Sequence, residues 1–223
     1  MADRVAKAAL FDGLVSAAKA LASGRRAEIV DVLAQGERAV EDISTEIEQS
    51  VANTSQHLQQ LLRAGLVRTR RDGTSIYYAL ADERVAELWA MMRAVAAEHV
   101  ADVKRLATAY LGDRDQLQTV TRAELKRRLR SRDVIVLDVR PTAEYQAGHI
   151  AGAISVPIDV LPRNVRDLPP DADVVAYCRG PYCVYADQAV RTLTKRGRRA
   201  ARLEDGYPEW ARAGLPVTDR RVN

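Results

Sequence analysis

The chain of 223 residues contains little cysteine and few aromatic side chains: two cysteines, two tryptophans and one phenylalanine. Two cysteines in one short stretch do not make the disulfide framework of a small secreted domain. No apolar run reaches the roughly 18 residues of a membrane-spanning helix, and the charged N-terminal stretch has no apolar core of the signal-peptide type. We therefore expect a cytoplasmic protein that contacts no membrane.

The composition is that of a globular protein, with 47% hydrophobic and 29% charged residues, and the length suits two domains of roughly 100 residues. The net charge of +4 is uneven. Residues 1–112 hold 14 Lys and Arg against 15 Asp and Glu, and residues 113–223 hold 20 against 15. Nucleic-acid binding by the first half must therefore rest on local pattern and not on overall charge.

The first half follows the order of a winged helix-turn-helix. Apolar residues at helical spacing predict helices over 5–21, 26–33, 40–47 and 51–63. Two strands, 66–70 and 75–80, follow around an Asp-Gly turn. Ser50 is the expected N-cap of the fourth helix.

Polar side chains at the start of that fourth helix lie opposite a leucine face. Short amides and hydroxyls at a helix N-terminus suit base edges and phosphates, and arginines on a hairpin suit the DNA backbone. Each residue alone is more simply a solvated position, but the set in this order predicts binding to a double-stranded DNA operator. The predicted DNA-binding residues are Asn53, Thr54, Ser55, Gln56, His57, Arg68, Arg70 and Arg71.

These segments carry a family resemblance. The AGLV-x-x-RRDG-x-x-x-YY ending and the S-x-HL of the fourth helix resemble the ArsR/SmtB-type winged-helix repressors, over about residues 5–108. The resemblance implies a homodimer whose first and last helices form the interface, with one recognition helix per protomer in the major groove. Val51 and Ala52 stand where many relatives have polar residues, so the operator sequence does not follow.

Metal sensing, which is frequent in that family, is not expected here. The stretch that matches the family's cysteine pair on the third helix reads AVEDI, at residues 39–43, and has no thiol. Glu98, His99 and Asp102 lie on the predicted last helix, but the adjacent Glu98 and His99 point about 100° apart, and zinc takes three or four ligands. We predict no metal site and no cofactor.

The predicted last helix, over 81–110, has a long apolar stripe that packing against a partner helix would explain. A short polar stretch follows it. We place the domain boundary there, with a DNA-binding and dimerisation domain over 1–112 and a second domain over 113–223.

The second half alternates short strands with helices. Apolar runs predict strands over 134–138, 153–156, 174–177 and 200–203, with a helix capped by Thr121 before the first of them. This order predicts an α/β domain with a mainly parallel sheet. The fold class is therefore a mainly α winged helix-turn-helix followed by an α/β domain.

Both cysteines lie in the stretch YCRGPYCV, residues 177–184, between a predicted strand and a predicted helix over 184–196. Ligands of parallel sheets bind at the carboxyl ends of strands, where Cys178 stands. Backbone N–H groups that converge at a helix N-terminus lower the pKa of a thiol and make it a nucleophile.

Four segments, from LDVRPTAEYQAGHIAGAISVP to LEDGYPEWARAGLPV, resemble the rhodanese family over about residues 117–218. The resemblance implies that Cys178 carries a persulfide, that Asp138 and Arg140 lie near the active site, and that Glu144 and His149 mainly support the fold. Arg179 adds positive charge to the loop.

Cys183 departs from the rhodanese pattern, because many sulfurtransferases have arginine or a hydroxyl residue at that position. A second thiol can resolve an oxidised or persulfidated first one, or it can simply pack at the helix start.

These features predict a DNA-binding repressor that senses reactive sulfur or redox state through Cys178 and Cys183, with thiosulfate, polysulfide or persulfide as the small sulfur species. One alternative is a rhodanese-type sulfurtransferase tethered to a DNA-binding domain. Weaker alternatives are an arsenical or metal-responsive repressor and a domain used only for docking.

Overall fold

The computed structural model describes residues 3–219 and divides the chain into two compact units, residues 1–99 and 100–223. The unit boundary falls at the end of a helix, before the polar stretch at which the sequence predicts the domain boundary. None of the helices in the described residues is both long and apolar enough to span a membrane.

The N-terminal unit is mainly helical with a three-stranded antiparallel sheet in the order β1-β3-β2. Its helices are α1 (Arg4–Leu14), α2 (Ser16–Leu21), α3 (Gly24–Leu33), α4 (Val40–Glu46), α5 (Val51–Arg63) and α6 (Glu83–His99). Its strands are β1 (Arg38–Ala39), β2 (Val67–Asp72) and β3 (Ser75–Leu80).

The core of this unit lies between α3, α4 and α5, where Ile29, Ile43, Leu58 and Leu61 have no exposed surface. The predicted cap of α5 is confirmed, because the Ser50 hydroxyl accepts from the backbone N–H of the third helical residue at 3.2 Å. The hairpin turns at Gly73, which has a φ of 59° that glycine adopts without strain.

Two predicted long helices are each broken in two. The first ends at Leu14, and the next begins at Ser16, because Val15 leaves helical geometry with ψ 2°. The prediction of one helix over 81–110 is wrong: α6 ends at His99 and Val100 is extended, with ψ 106°. A β-branched residue accepts extended backbone readily, and Asp102 in the first turn of the next helix favours a new N-terminus.

The C-terminal unit combines helices with a mainly parallel sheet, as predicted. Its helices are α7 (Ala101–Leu111), α8 (Arg122–Ser131), α9 (Thr142–Ala147), α10 (Leu161–Asn164), α11 (Tyr185–Lys195) and α12 (Tyr207–Arg212). Its strands are β4 (Thr119–Val120), β5 (Ile135–Asp138), β6 (Gly148–Ile150), β7 (Ile154–Ser155), β8 (Asp173–Cys178), β9 (Arg199–Gly206) and β10 (Val217–Asp219).

Five strands form a parallel sheet in the order β4-β9-β8-β5-β7, and β6 pairs with β10 in a separate antiparallel ribbon. One face of the sheet packs against α10 and α11, and the other face packs against α8 and α12. Because the strands are parallel, the last residues of β5, β8 and β9 lie at one edge. These residues are Asp138, Cys178 and Gly206.

Candidate functional site

The cysteine loop, residues 178–183, joins the end of β8 to the start of α11. Cys178 and Cys183 are linked by a disulfide, with their Cα atoms 6.3 Å apart. Inside the ring, the Cys183 N–H donates to the Gly180 carbonyl at 3.1 Å. The two thiols that the sequence placed five positions apart are therefore within bonding reach, as a resolving pair requires.

Cys178 is almost completely buried, with 1% of its surface exposed. It belongs to the core face that α11 covers, together with Leu137 of β5 and Val139 just after that strand, and Cys183 packs against the same cluster. A reagent in solution therefore reaches Cys178 only when the loop opens.

Arg179 does not present a free positive charge to the loop. Its guanidinium makes a bidentate ion pair with Glu144, with distances of 2.9 and 2.5 Å to the same carboxylate oxygen. Glu144 is 1% exposed, so this pair is a buried contact between α9 and the loop. Arg179 and Glu144 thus hold the cysteine loop against α9.

Asp138 and Arg140 form a network without any exposed surface. Arg140 also lies 4.0 Å from the carboxylate of Glu144, the partner of Arg179. The carboxylate of Asp138 accepts from Arg140 at 2.6 Å and from the Tyr177 hydroxyl at 2.5 Å. Arg140 also donates to the Gly148 carbonyl at 2.7 Å.

Strand alternation separates this network from the thiol. Tyr177 belongs to the core face covered by α8 and α12, whereas Cys178, the next residue, belongs to the opposite face. Asp138 and Arg140 stay predicted site residues, and their observed contacts hold the ends of β5 and β8 in place.

The protonation of this network follows from burial. Burial and then the charge of Asp138 raise the pKa of Tyr177 well above its usual value, so its hydroxyl stays a donor. Burial lowers the pKa of Arg140, but the hydrogen bonds and charge of Asp138 outweigh it and raise the pKa overall. The Arg140 guanidinium therefore stays charged at physiological pH.

Gly206, at the end of β9, lies directly under the cysteine loop. A Cβ atom there would come 2.2 Å from the backbone nitrogen of Gly180 and 2.3 Å from the carbonyl carbon of Arg179. Its φ of −118° is open to any residue, so the need for glycine is purely one of space. The segment LEDGYPEW carries this glycine, but the letters alone do not reveal the contact.

Three further charged residues around the loop were not predicted from the sequence. Asp187, in the first turn of α11, is completely buried and pairs with Arg114 at 2.5 Å and with Arg202 at 2.9 Å. Burial and then the charge of Arg114 lower the pKa of Arg202. One feature of the sequence could have indicated a buried ion pair: Asp187 is an acidic residue next to Ala186, among the apolar positions of α11.

The N-terminal half of α5 presents part of the predicted DNA-binding set to solvent. Asn53 and Gln56 are exposed, and Ser55 and His57 are half-buried. The prediction for Thr54 is corrected, because its side chain has no exposed surface and lies on the same helix face as Leu58 and Leu61. No DNA contact can therefore come from Thr54.

The arginines of the β2–β3 hairpin differ from one another. Arg70 pairs with Glu37 at 2.7 Å and Asp72 at 3.1 Å, and these hydrogen bonds raise its pKa. Arg68 and Arg71 are exposed, and each has its Nε on a backbone carbonyl of the hairpin, at 3.3 and 3.2 Å. The charge of Arg70 is therefore partly compensated by two carboxylates, whereas the hydrogen bonds of Arg68 and Arg71 to neutral carbonyls leave their charge for an external anion.

Within residues 3–219, no group of three or more His, Cys, Asp and Glu side chains is arranged to hold a metal ion. His99 and Glu98 approach to 3.8 Å on the exposed end of α6.

The comparisons with known proteins agree with this two-part architecture. Residues 23–69 match the family described as bacterial regulatory protein, arsR family, and residues 121–213 match the rhodanese-like domain. A solution structure of the homodimeric winged helix-turn-helix DNA-binding domain of Mb0332 from Mycobacterium bovis is 50% identical. It covers 45% of this chain and 91% of that one, with a TM-score of 0.41.

Two curated relatives span different parts of the chain. A sulfurtransferase of Allochromatium vinosum is 38% identical over 86 residues, which are 38% of this chain and 78% of that protein. The HTH-type transcriptional regulator Rv0324 of Mycobacterium tuberculosis is 51% identical over 213 residues, which are 96% of this chain and 93% of the relative. The chain therefore belongs to the ArsR-type helix-turn-helix transcriptional regulators and carries a rhodanese-like domain in its C-terminal half.

Proposed function

We propose that the chain is a transcriptional repressor whose rhodanese-like domain senses reactive sulfur species or redox state through Cys178 and Cys183. The observation that carries this proposal is the disulfide at the carboxyl edge of the parallel sheet. These are the chain's only two cysteines, so the DNA-binding unit has no thiol of its own. Any thiol-based signal must therefore originate in the cysteine loop.

The chemistry follows thiol–disulfide exchange. The Cys178 thiolate attacks a sulfur atom of a polysulfide and displaces the shortened polysulfide, which leaves a persulfide on Cys178. The Cys183 thiolate then attacks Cys178 Sγ and displaces hydrosulfide. The two thiols lose two electrons, and the transferred sulfur leaves as its reduced form. Two equivalents of a small thiol restore the dithiol and become a disulfide.

The DNA partner is a double-stranded operator, bound through the exposed side of α5 and the hairpin. Asn53 and Gln56 are placed for base edges and Arg68 and Arg71 for phosphates. A regulator that acts on chromosomal DNA works in the cytoplasm.

The protein binds DNA as a homodimer. The helix α1 has no buried residue, and its apolar side chains are mostly exposed: Val5, Leu10, Phe11 and Leu14. On α6, Met91 is 65% and Val95 50% exposed. Large exposed apolar faces on two helices favour a second copy of the chain as their partner.

The decisive experiment measures the mass of the intact protein and its DNA binding in the same samples. The duplex is selected from a random-sequence library by the reduced full-length protein. Polysulfide should add about 32 Da for a retained sulfur or remove about 2 Da for a disulfide. Operator affinity should fall in the same samples. Unchanged binding by protein that is completely modified would contradict the proposal.

Two serine variants separate the roles of the thiols. Cys178→Ser should show no mass change and no loss of DNA binding with polysulfide. Cys183→Ser should keep the added sulfur, because the resolving thiol is gone. Equal responses of the two variants would contradict the assignment of Cys178 as the nucleophile.

The similarity to a sulfurtransferase supports a second candidate, in which sulfur transfer is the main output. A thiosulfate:cyanide assay distinguishes the two. Turnover of about 1 per second or faster, within the range of ordinary enzymes, would favour the enzyme. The burial of Cys178 favours slow turnover.

A further inference from the structure

Arg114 holds the cysteine loop from outside both matched family regions. It lies between α7 and β4, and its guanidinium makes three separate contacts. Nε meets the carboxylate of Asp187 at 2.5 Å, Nη1 donates to the Pro181 carbonyl at 2.8 Å, and Nη2 donates to the Cys183 carbonyl at 3.3 Å. A planar guanidinium with fixed donor directions can satisfy all three acceptors only in one loop conformation.

The Pro181 carbonyl lies on the ring that the disulfide closes, and the Cys183 carbonyl is attached directly to that ring. Pro181 lies inside residues 178–183, and Cys183 is one of the two bonded residues. Breaking the disulfide frees the Cα atoms of the two cysteines from their fixed separation. We therefore expect the two carbonyls to point in different directions in the oxidised and reduced loops. The hydrogen bonds of Arg114 to them then differ in strength between the two states.

A second arginine lets Asp187 stay paired when Arg114 moves away. Asp187 is also 2.9 Å from Nε of Arg202, so it keeps a cationic partner when Arg114 leaves. The Arg114 side chain is 24% exposed, so water can reach the guanidinium that is released. Arg202, in contrast, is buried and stays with the carboxylate.

Arg114 follows the end of α7 by only three residues. The helix α7 ends at Leu111, Gly112 takes a φ of 72°, and the Asp113 carbonyl accepts from Arg191 of α11 at 2.7 Å. Two successive residues of the chain, 113 and 114, are thus bound to α11 and the cysteine loop. A change at the loop reaches the chain that leads back to the DNA-binding unit through these two residues.

We infer that Arg114 is a positioning residue that couples the oxidation state of the cysteine loop to DNA binding. It binds the disulfide form of the loop and releases the dithiol form. The inference rests on the proposed function and adds its route of transmission. Opening the disulfide takes two electrons and two protons from two small thiols, which leave as their disulfide, and Arg114 itself undergoes no covalent change.

The test compares full-length Arg114→Met with wild type in two measurements. The first is the equilibrium between disulfide and dithiol in glutathione buffers. Because Arg114 favours the disulfide form, its loss should shift this equilibrium about tenfold toward the dithiol, or about 30 mV. The second is the ratio of operator affinities of the oxidised and reduced proteins, which should approach one in the variant.

Arg198→Met is the matched control. Arg198 is a partly buried arginine of the same unit whose Nη2 donates to the Val165 carbonyl at 3.1 Å, away from the loop. It should leave both measurements at wild-type values. If Arg114→Met fails to fold, Arg114→Lys replaces it, because lysine keeps a charge for Asp187 but lacks the fork that reaches both carbonyls.

The outcomes separate the two ideas. A wild type whose operator affinity does not depend on oxidation overturns the proposed function, and this inference with it. A responsive wild type with an Arg114 variant that keeps the wild-type ratio overturns the inference alone, whether or not the redox equilibrium shifts. A shift in both measurements, absent from Arg198→Met, supports it.

Discussion

The two units of the chain keep their charged side chains in different places. In the N-terminal unit, Arg68 and Arg71 lie on an exposed hairpin. In the C-terminal unit, arginines pair with three carboxylates that have almost no exposed surface, namely Asp138, Glu144 and Asp187. A cation in water attracts a polyanion over a long range, whereas a cation in a buried pair fixes the geometry of the chain around it.

The apolar side chains differ in the same way. The N-terminal unit leaves Leu10 and Phe11 more than half exposed, whereas the sheet of the C-terminal unit is covered on both faces. The first unit therefore depends on other molecules for burial and charge compensation. The sheet of the second unit needs no other molecule for its burial, and the cysteine loop at its carboxyl edge is where we expect a chemical change to act.

The largest effect is expected from Asp138→Ala in the buried network. The change leaves the Arg140 guanidinium without its carboxylate in a site that water does not reach, and it removes the acceptor of the Tyr177 hydroxyl. Breaking such a pair costs about 3–5 kcal/mol in the free energy of unfolding. Urea denaturation of the full chain measures it. A cost below about 1 kcal/mol, the range of surface ion pairs, would show that the network is solvated.

Next in size is the loss of dimerisation when Leu10 and Phe11 are both changed to Glu. If the α1 face is buried between two copies, four large apolar side chains, two from each copy, lose burial of about 1 kcal/mol each, because each is a little more than half exposed in one copy. The total of about 4 kcal/mol is roughly 1,000-fold in the dimer dissociation constant. Sedimentation velocity measures this constant. Ile154→Glu, at a position 49% exposed in the other unit, is the control. Equal dimerisation of both variants would locate the interface elsewhere.

An intermediate effect is expected from Gly206→Ala under the cysteine loop. The added methyl overlaps the backbone of Arg179 and Gly180, so the loop must move. Overpacking of this kind costs about 1–3 kcal/mol in unfolding free energy. Gly24→Ala, where a Cβ meets nothing within 4 Å, should be neutral or stabilising. Thermal unfolding of both variants measures the difference. Equal unfolding midpoints for Gly206→Ala and Gly24→Ala would contradict the prediction.

Much of the fold was predictable because its signals are local. The apolar runs that became β5 and β8 and the Gly/Pro loop after β8 are properties of adjacent residues. Thr54 was misassigned for a related reason: its type is polar, but its position repeats the spacing of Leu58 and Leu61. The side of the helix, and not the chemistry of the residue, decides its burial.

The remaining features join residues far apart in the chain. Arg114 and Asp187 are 73 positions apart, and no short pattern links them. The pairing of β10 with β6 was missed because each strand has only three residues. The break at Val100 was missed because the apolar stripe continues through it at helical spacing. Periodicity shows which residues share a face but not whether the backbone is continuous.

The smallest effect compares one helix cap in each unit. Ser50 and Thr121 each accept a hydrogen bond at 3.2 Å from the backbone N–H three residues on. Replacing either by Ala should cost about 1 kcal/mol in the stability of its own unit. Ser50 caps α5, so its loss also loosens the first turn, which holds the predicted DNA-binding residue Asn53. Ser50→Ala should therefore weaken operator binding, whereas Thr121→Ala should leave it unchanged. Fluorescence anisotropy on a labelled operator measures both. Equal weakening by the two variants would mean that DNA binding follows general stability and not the order of α5.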